Sequence, residues 1–325
     1  MANKSVEISF KGKWETVPAL DVDGYTIVVD GRWIRLAVVL DEEWLESELE
    51  DPEGCVETLK RREHGLKADV FTFSQKLPAI RPKYHYPMEW DSVAAIHAAS
   101  FKEWWEKLPQ ESRKNVRRSQ KRGVVVRVKE LDDELVDGIV DVNNDSPVRQ
   151  HVPFVHHGKT RDQVRKDQST HRERSDFVCA YLGDELIGFL KLVYRRDVAS
   201  ILQILPKASR YDARPANALI AKAVELCEAK GISYLTYGKY SYGNQGATSL
   251  REFKARNGFE ELLVPRYYIP LTMRGRIGMS LKVHHGLLGV LPESTIRLSV
   301  KLRSTWYNWK LSKGRCSSMA ERPKL

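Results

Sequence analysis

Cysteine is scarce in this chain: Cys55, Cys179, Cys227 and Cys316 are the four among 325 residues, and no two form a CxxC pair. That scarcity argues against a disulfide framework or a cysteine-rich zinc site and fits a reducing compartment. Cys179 and Cys227 lie in apolar runs and read as core thiols. Long apolar runs are missing too. None approaches the ~18 residues of a membrane-spanning helix, and MANKSVEISFKGKWE lacks the apolar core of a secretory signal, so a cytoplasmic location is expected. A nucleophile elbow, an HExxH helix, a P-loop and a Cys/His cluster are all absent, so neither a covalent enzyme intermediate nor a metal is expected. No repeat recurs at solenoid spacing.

What is present suits a globular α/β protein. Apolar residues make up 42% of the chain and charged residues 30%, enough to build a sizeable core. The net charge of +10 sits at one end, because residues 273–325 hold eleven Lys/Arg against Glu293 and Glu321. The first 272 residues are therefore nearly neutral. Within the basic segment, IRLSVKLR alternates as a strand would, whereas a helix begun at Pro292 puts Leu298, Leu302, Trp306 and Trp309 on one face, with cations around it. The helix is the preferred reading. Residues 292–313 would then either dock on residues 1–83 or suit an anionic surface at the inner face of a membrane.

Short β-branched and aromatic runs over 5–40 predict an antiparallel meander, with Asp30-Gly31 as a hairpin turn. A polar helix over 53–64 and a strand over 68–73 follow, and the proline-spaced KLPAIRPKYHYP marks a boundary near residue 84. From Glu89 to Leu108, apolar residues recur at helical spacing and predict one helix. PQESRKNVRRSQKRG continues as a basic helix stopped by Gly123, and VVVRV reads as a strand. Beyond it, DFVCAYLGDELIGFLKLVY predicts a hairpin, ASILQILP a strand and RPANALIAKAVELCEAKG a helix. Strand SYLTYG, helix TSLREFKARNG and a last strand near LVPRYYIPLT complete a mixed sheet with helices on both faces.

That order, with the segment GATSLREFKARNGFEE, resembles the GNAT-like acyl-CoA N-acyltransferases, and within them the Fem-type transferases. LPQESRKNVRRSQKRGVVV and GDELIGFLKLVY are similar to the basic helix and the central hairpin of that group. The resemblance covers 84–272. It implies a GNAT-like transferase domain there, with a β-rich subdomain over 1–83, which would correspond to a reduced first GNAT-like half, and a basic segment over 273–325. The implied activity is transfer of an acyl group from acyl-CoA to an amine of a sugar, an amino acid or a cell-envelope precursor. An aminoacyl-tRNA donor, as in Fem-type proteins, is one alternative; a catalytically inactive protein that binds membrane or nucleic acid is another. Apart from tRNA, nucleic acid is disfavoured, because no aromatics interleave with the basic stripe at 113–122. The resemblance also implies that Lys254, the lysine of its Phe-Lys pair, faces the site and stabilises negative charge at the reacting carbonyl; an ordinary solvated helix lysine is the plain alternative.

The acyl-CoA loop of GNAT enzymes would fall at RYDARPA, where Ala213 and Pro215 replace its glycines. The helix start there still offers N–H groups, at Ala216 and Asn217, flanked by Arg210 and Arg214, to a pyrophosphate. Tyr237, Tyr240 and Tyr242 lie at the end of a strand where open α/β sheets gather ligands; Tyr240 and Tyr242 are the candidate proton donors, and packing over the sheet edge is the alternative for each. The polar loop 143–159 reads as an acceptor-side lid bearing Asp145, Arg149, His156, His157 and Lys159, with Asp145 or His157 as a base. Arg117, with Arg113 and Lys121, forms a cationic line that could meet a phosphate.

Overall fold

The computed structural model describes residues 4–282 apart from 11–12, 32, 43–47, 62–64, 150–151 and 242–248. The predicted helix at 292–313 and Tyr242 lie outside the described residues. Strands β1 (Lys4–Phe10), β2 (Lys13–Val22), β3 (Tyr25–Asp30) and β4 (Leu36–Val39) form the expected meander. Its tight turn is Asp23-Gly24, both at positive φ (49° and 84°), between β2 and β3. Asp30-Gly31 instead opens a longer link to β4, the Asp30 carboxylate accepting the Gly31 N–H at 2.6 Å. Helix α1 (Pro52–Arg61) then crosses to β5 (Val70–Ser74), which lies parallel to β4.

The chain continues through β6 (Met88–His97), α2 (Phe101–Lys107), α3 (Gln110–Lys121), β7 (Val124–Lys129) and α4 (Asp133–Asn144). The short pair β8 (Val148–Arg149) and β9 (Val152–Pro153) precedes α5 (Arg161–Gln168), and β10 (Ser175–Leu182), β11 (Glu185–Arg195) and β12 (Val198–Pro206) follow as an antiparallel run. Helix α6 (Pro215–Ala229), β13 (Tyr234–Thr236), α7 (Ser249–Arg256), β14 (Glu260–Pro270) and α8 (Met273–Ser280) complete the described chain.

Twelve strands join one sheet, in the order β1-β2-β3-β4-β5-β14-β6-β13-β12-β11-β10-β7. The boundary drawn near residue 84 falls between β5 and β6, and β14 bridges the two by pairing with both. On one face, α2, α3 and α6 bury Trp104, Val116, Leu219 and Val224 against Leu190 and Ile201. On the other, α4 and α5 bury Ile139 and Val164 against Phe177 and Phe189. A separate core under the N-terminal strands joins Ile27, Phe71 and Phe73 to Tyr267.

The single helix expected over 89–108 is a strand followed by a helix. Residues 88–97 form β6, between β13 and β14, so Ala94, Ala95 and Ile96 are buried on both faces. Apolar side chains on two faces give a run that periodicity alone reads equally well as a buried helix. The true start of α2 is signalled by Ser100, whose hydroxyl accepts the Glu103 N–H at 3.3 Å.

One feature of the sheet positions the site. β12 and β13 run parallel only over Val198–Ser200 and Tyr234–Thr236. Beyond Ser200, β12 stays with β11, whereas the chain after Thr236 follows β6: Tyr237 N–H donates to Ala94 O at 2.9 Å, and Ala94 N–H to Gly238 O at 2.8 Å. The strands part there and open a fork.

Candidate active site

At the base of the fork the buried hydroxyls of Ser200 and Thr236 lie 2.9 Å apart. Beside them opens a cavity of ≈ 330 Å³ whose wall includes Gly238, Lys239, Asp91, Arg266 and Glu42. The pieces come from both parts of the sheet. β6 supplies Asp91, β14 supplies Arg266, and the segment after β4 supplies Glu42.

Arg266 is the electrostatic centre of this wall. Its Nε donates to Asp91 Oδ2 at 2.8 Å and its Nη1 to Glu42 Oε2 at 3.0 Å. Burial works against the guanidinium charge, but the two carboxylates outweigh it and hold the group firmly protonated. Burial likewise opposes ionisation of Asp91, yet Arg266 and Lys239 win, and its carboxyl titrates below the usual range. Lys239 Nζ sits 3.0 Å from Asp91 Oδ1.

Lys254 is joined to this wall through Lys239. Its side chain is fully buried, and its ammonium donates to Lys239 O at 2.6 Å while lying 4.7 Å from the centre of the Tyr237 ring. Burial lowers its pKa to about 8. The helix end fixes this position. Gly258, in the left-handed region at φ 83°, donates to Ala255 O at 3.1 Å, and Phe259 N–H donates to Lys254 O at 3.0 Å, together making a Schellman cap. Trp104 Nε1 locks the cap by donating to Asn257 O at 3.1 Å.

The start of α6 adjoins that cap. Asn217 Nδ2 donates to Asn257 Oδ1 at 2.9 Å, which ties a predicted anion-binding residue to the helix carrying Lys254. Arg214 is exposed and left-handed at φ 57°, next to the half-buried Ala216. Arg210 is spoken for: its Nη2 and Nε reach Glu185 Oε2 at 2.7 and 3.0 Å. Tyr240 packs half-buried against the core, with the Arg251 guanidinium 5.4 Å over its ring.

The loop after α4 forms a separate cluster. Asp145 accepts from Ser209 N–H at 3.1 Å and from its hydroxyl at 2.5 Å, and those bonds outweigh burial and lower the pKa of its carboxyl. Arg149 donates to Pro206 O at 2.8 Å and lies over the Phe154 ring. Lys159 pairs with Asp167 at 2.5 Å. His156 is half-buried against Phe154, and its pKa is lowered by burial and then by Lys159, whereas His157 is exposed. Arg117 stacks over Trp105 at 5.6 Å, in the lining of a second groove between α2, α3 and α6. Neither cavity is lined by Lys254, Tyr240 or Arg214.

Asp91, Lys239, Arg266 and Glu42 were not singled out from the sequence. The available signal was a charge interrupting an apolar strand, as Arg266 does in LLVPRYYIP. Among the described residues, no group of three or more His, Cys, Asp or Glu could hold a metal ion. No described helix is long and apolar enough to cross a membrane.

Residues 107–254 match the family model described as an acetyltransferase (GNAT) domain. No curated protein sequence matches the chain. Among solved structures, FemX superposes with a TM-score of 0.56 at 9% identity, covering 86% of this chain and 90% of its own. The C-terminal domain of a protein described as a lysylphosphatidylglycerol synthetase from Agrobacterium fabrum gives 0.52 at 14%, covering 82% and 88%. L-PGS from Bacillus licheniformis gives 0.50 at 13%, covering 80% and 85%. At these identities the structures establish the fold, which is GNAT-like and of the Fem type.

Proposed function

We propose that this chain, an acyltransferase-type GNAT domain extended by N-terminal strands, transfers an acyl group directly to an amine, with Lys254 as the charge-stabilising group. The observation that carries the reading is a fully buried lysine whose ammonium donates to the carbonyl of Lys239, a residue lining a charged cavity at a strand fork. In the reaction the amine nitrogen attacks the donor carbonyl, a C–N bond forms and the C–S or C–O bond to the leaving group breaks. The amine gives up a proton and the leaving thiol or hydroxyl gains one. Negative charge collects on the carbonyl oxygen meanwhile, and a desolvated ammonium opposes it strongly. Tyr240 or Tyr242 would supply the leaving group's proton.

Acceptor and donor are read from different parts of the fold. The cavity has the size of a small-molecule site and combines carboxylates, cations and hydroxyls, which suits an amine-bearing sugar, amino acid or cell-envelope precursor. Acyl-CoA is the proposed donor, its pyrophosphate at the start of α6 beside Arg214, Ala216 and Asn217. One observation favours an aminoacyl-tRNA donor instead: the loop before α6 has the buried Ala213 and Pro215 at the GNAT glycine positions, and Arg210 is bound to Glu185. Thermal unfolding in the presence of acyl-CoAs and of charged tRNA separates the donors. A rise in Tm with one class identifies it, and no shift with either would sink both enzymatic readings.

A further inference from the structure

Helix α8 is packed inside out. Its buried positions are Gly275 and Gly278, whereas Met273, Ile277 and Leu281, four residues apart on one face, are 65%, 57% and 60% exposed. The glycines are required by the close approach. A Cβ on Gly275 would stand 1.9 Å from the Asp69 carbonyl oxygen, and one on Gly278 would stand 2.7 Å from Ile34 Cδ1. Thr272 fixes the pose, its hydroxyl accepting from Gly275 N–H at 2.9 Å and donating to Asp69 Oδ1 at 3.1 Å. The helix therefore lays its backbone on the protein and turns its large side chains outward. Trp33, next in sequence to Ile34, is 71% exposed, and Arg274 donates to its carbonyl. Single exposed apolar residues are ordinary, but a held stripe of them marks a binding surface.

The rim of the stripe selects the occupant. Residues 273–282 contain Arg274, Arg276 and Lys282, all exposed, and no carboxylate. Past Lys282 the sequence adds eight Lys/Arg against Glu293 and Glu321. A second copy docking by this same face, or the stretch 297–324 that carries those eight cations, would bring like charge to that rim and be repelled. An anionic phospholipid surface takes both features, the apolar side chains entering the acyl boundary and the cations meeting headgroups. We infer that the α8 face, with Trp33, docks the protein on an anionic bilayer. The idea is independent of acyl transfer and survives if that reading fails.

Co-sedimentation of the full chain with phosphatidylcholine vesicles, with and without phosphatidylglycerol, tests it. The wild type is expected to bind the anionic vesicles and to lose binding at high salt. Ile277→Glu with Leu281→Glu should lower vesicle affinity at least about tenfold. Both positions are exposed, so the fold should persist, as a thermal melt would verify. Should that variant misfold, Arg276→Gln with Lys282→Gln decides instead, with an expected loss of about fivefold per cation on anionic vesicles alone. Absence of wild-type binding, or binding unchanged in the folded variant, overturns the inference. So does a wild-type dimer by light scattering that becomes monomeric in the variant, because the stripe would then be a contact between copies.

Discussion

Replacing Lys254 with methionine separates stability from chemistry. The buried ammonium titrates at about 8 rather than 10.5, so its ionised form is a cost to folding. The shift corresponds to roughly 3 kcal/mol at most. Below the folded value both states hold the proton and the whole penalty is present. Between about 8 and 10.5 the unfolded chain holds more protons than the folded one, so wild-type stability rises with pH through that window. Methionine is one atom shorter but fills most of the same space and removes the penalty, against loss of an ammonium–carbonyl hydrogen bond contributing about 1.5–3 kcal/mol. At pH 7 the variant should therefore match or exceed the wild type in urea titrations. Wild type minus variant should then climb by up to about 1.4 kcal/mol per pH unit above pH 8. Lys191, also lowered to about 8 by burial, is present in both proteins and cancels.

The same substitution should reduce acyl transfer by about 10²–10³ in kcat. Wild-type turnover should decline as pH rises through about 8, where the ammonium loses its proton. Two results would refute the reasoning. A stability difference that stays flat from neutral to alkaline pH means the lysine carries no depressed pKa, and a folded variant with unimpaired turnover removes Lys254 from the chemistry.

Three further outcomes are expected. Arg266→Met removes the guanidinium from Glu42 and leaves Asp91 with Lys239 alone, and should cost about 3–5 kcal/mol in urea unfolding. Because the folded pKa of Asp91 is lowered, its contribution is present above the usual carboxylate range and fades as acid protonates it; the variant's deficit should shrink accordingly. Gly258→Ala places a Cβ 2.7 Å from Trp104 Nε1 at a left-handed position, and should lower stability by about 1–3 kcal/mol along with the activity that depends on Lys254. Arg214→Gly relieves a left-handed arginine and should raise stability by roughly 0.5–1 kcal/mol in the same titration, while weakening any phosphate-bearing donor that uses its charge.

Much of the fold was legible because local signals agree with tertiary structure. Pro215 starts α6, and Gly123 and Gly258 end their helices at positive φ. The hairpin of β10 and β11 shows in its apolar strands around Gly183, and FKARNGF carries its own cap. Those features are set by backbone conformations that only certain residues favour, so sequence alone determined them, and with them the GNAT-like order of elements. It also singled out Lys254. What sequence could not decide was anything set by neighbours distant in the chain. Residues 88–97 became a strand because β13 and β14 flank them, and an apolar run buried on two faces has no period of its own. Asp145, Arg210 and Lys159 looked free in sequence, yet each meets a partner brought by another element: Ser209, Glu185 and Asp167. The cavity wall of Glu42, Asp91 and Arg266 joins residues up to 224 positions apart, and burial, which gives those charges and Lys254 their character, exists only once the sheet is assembled.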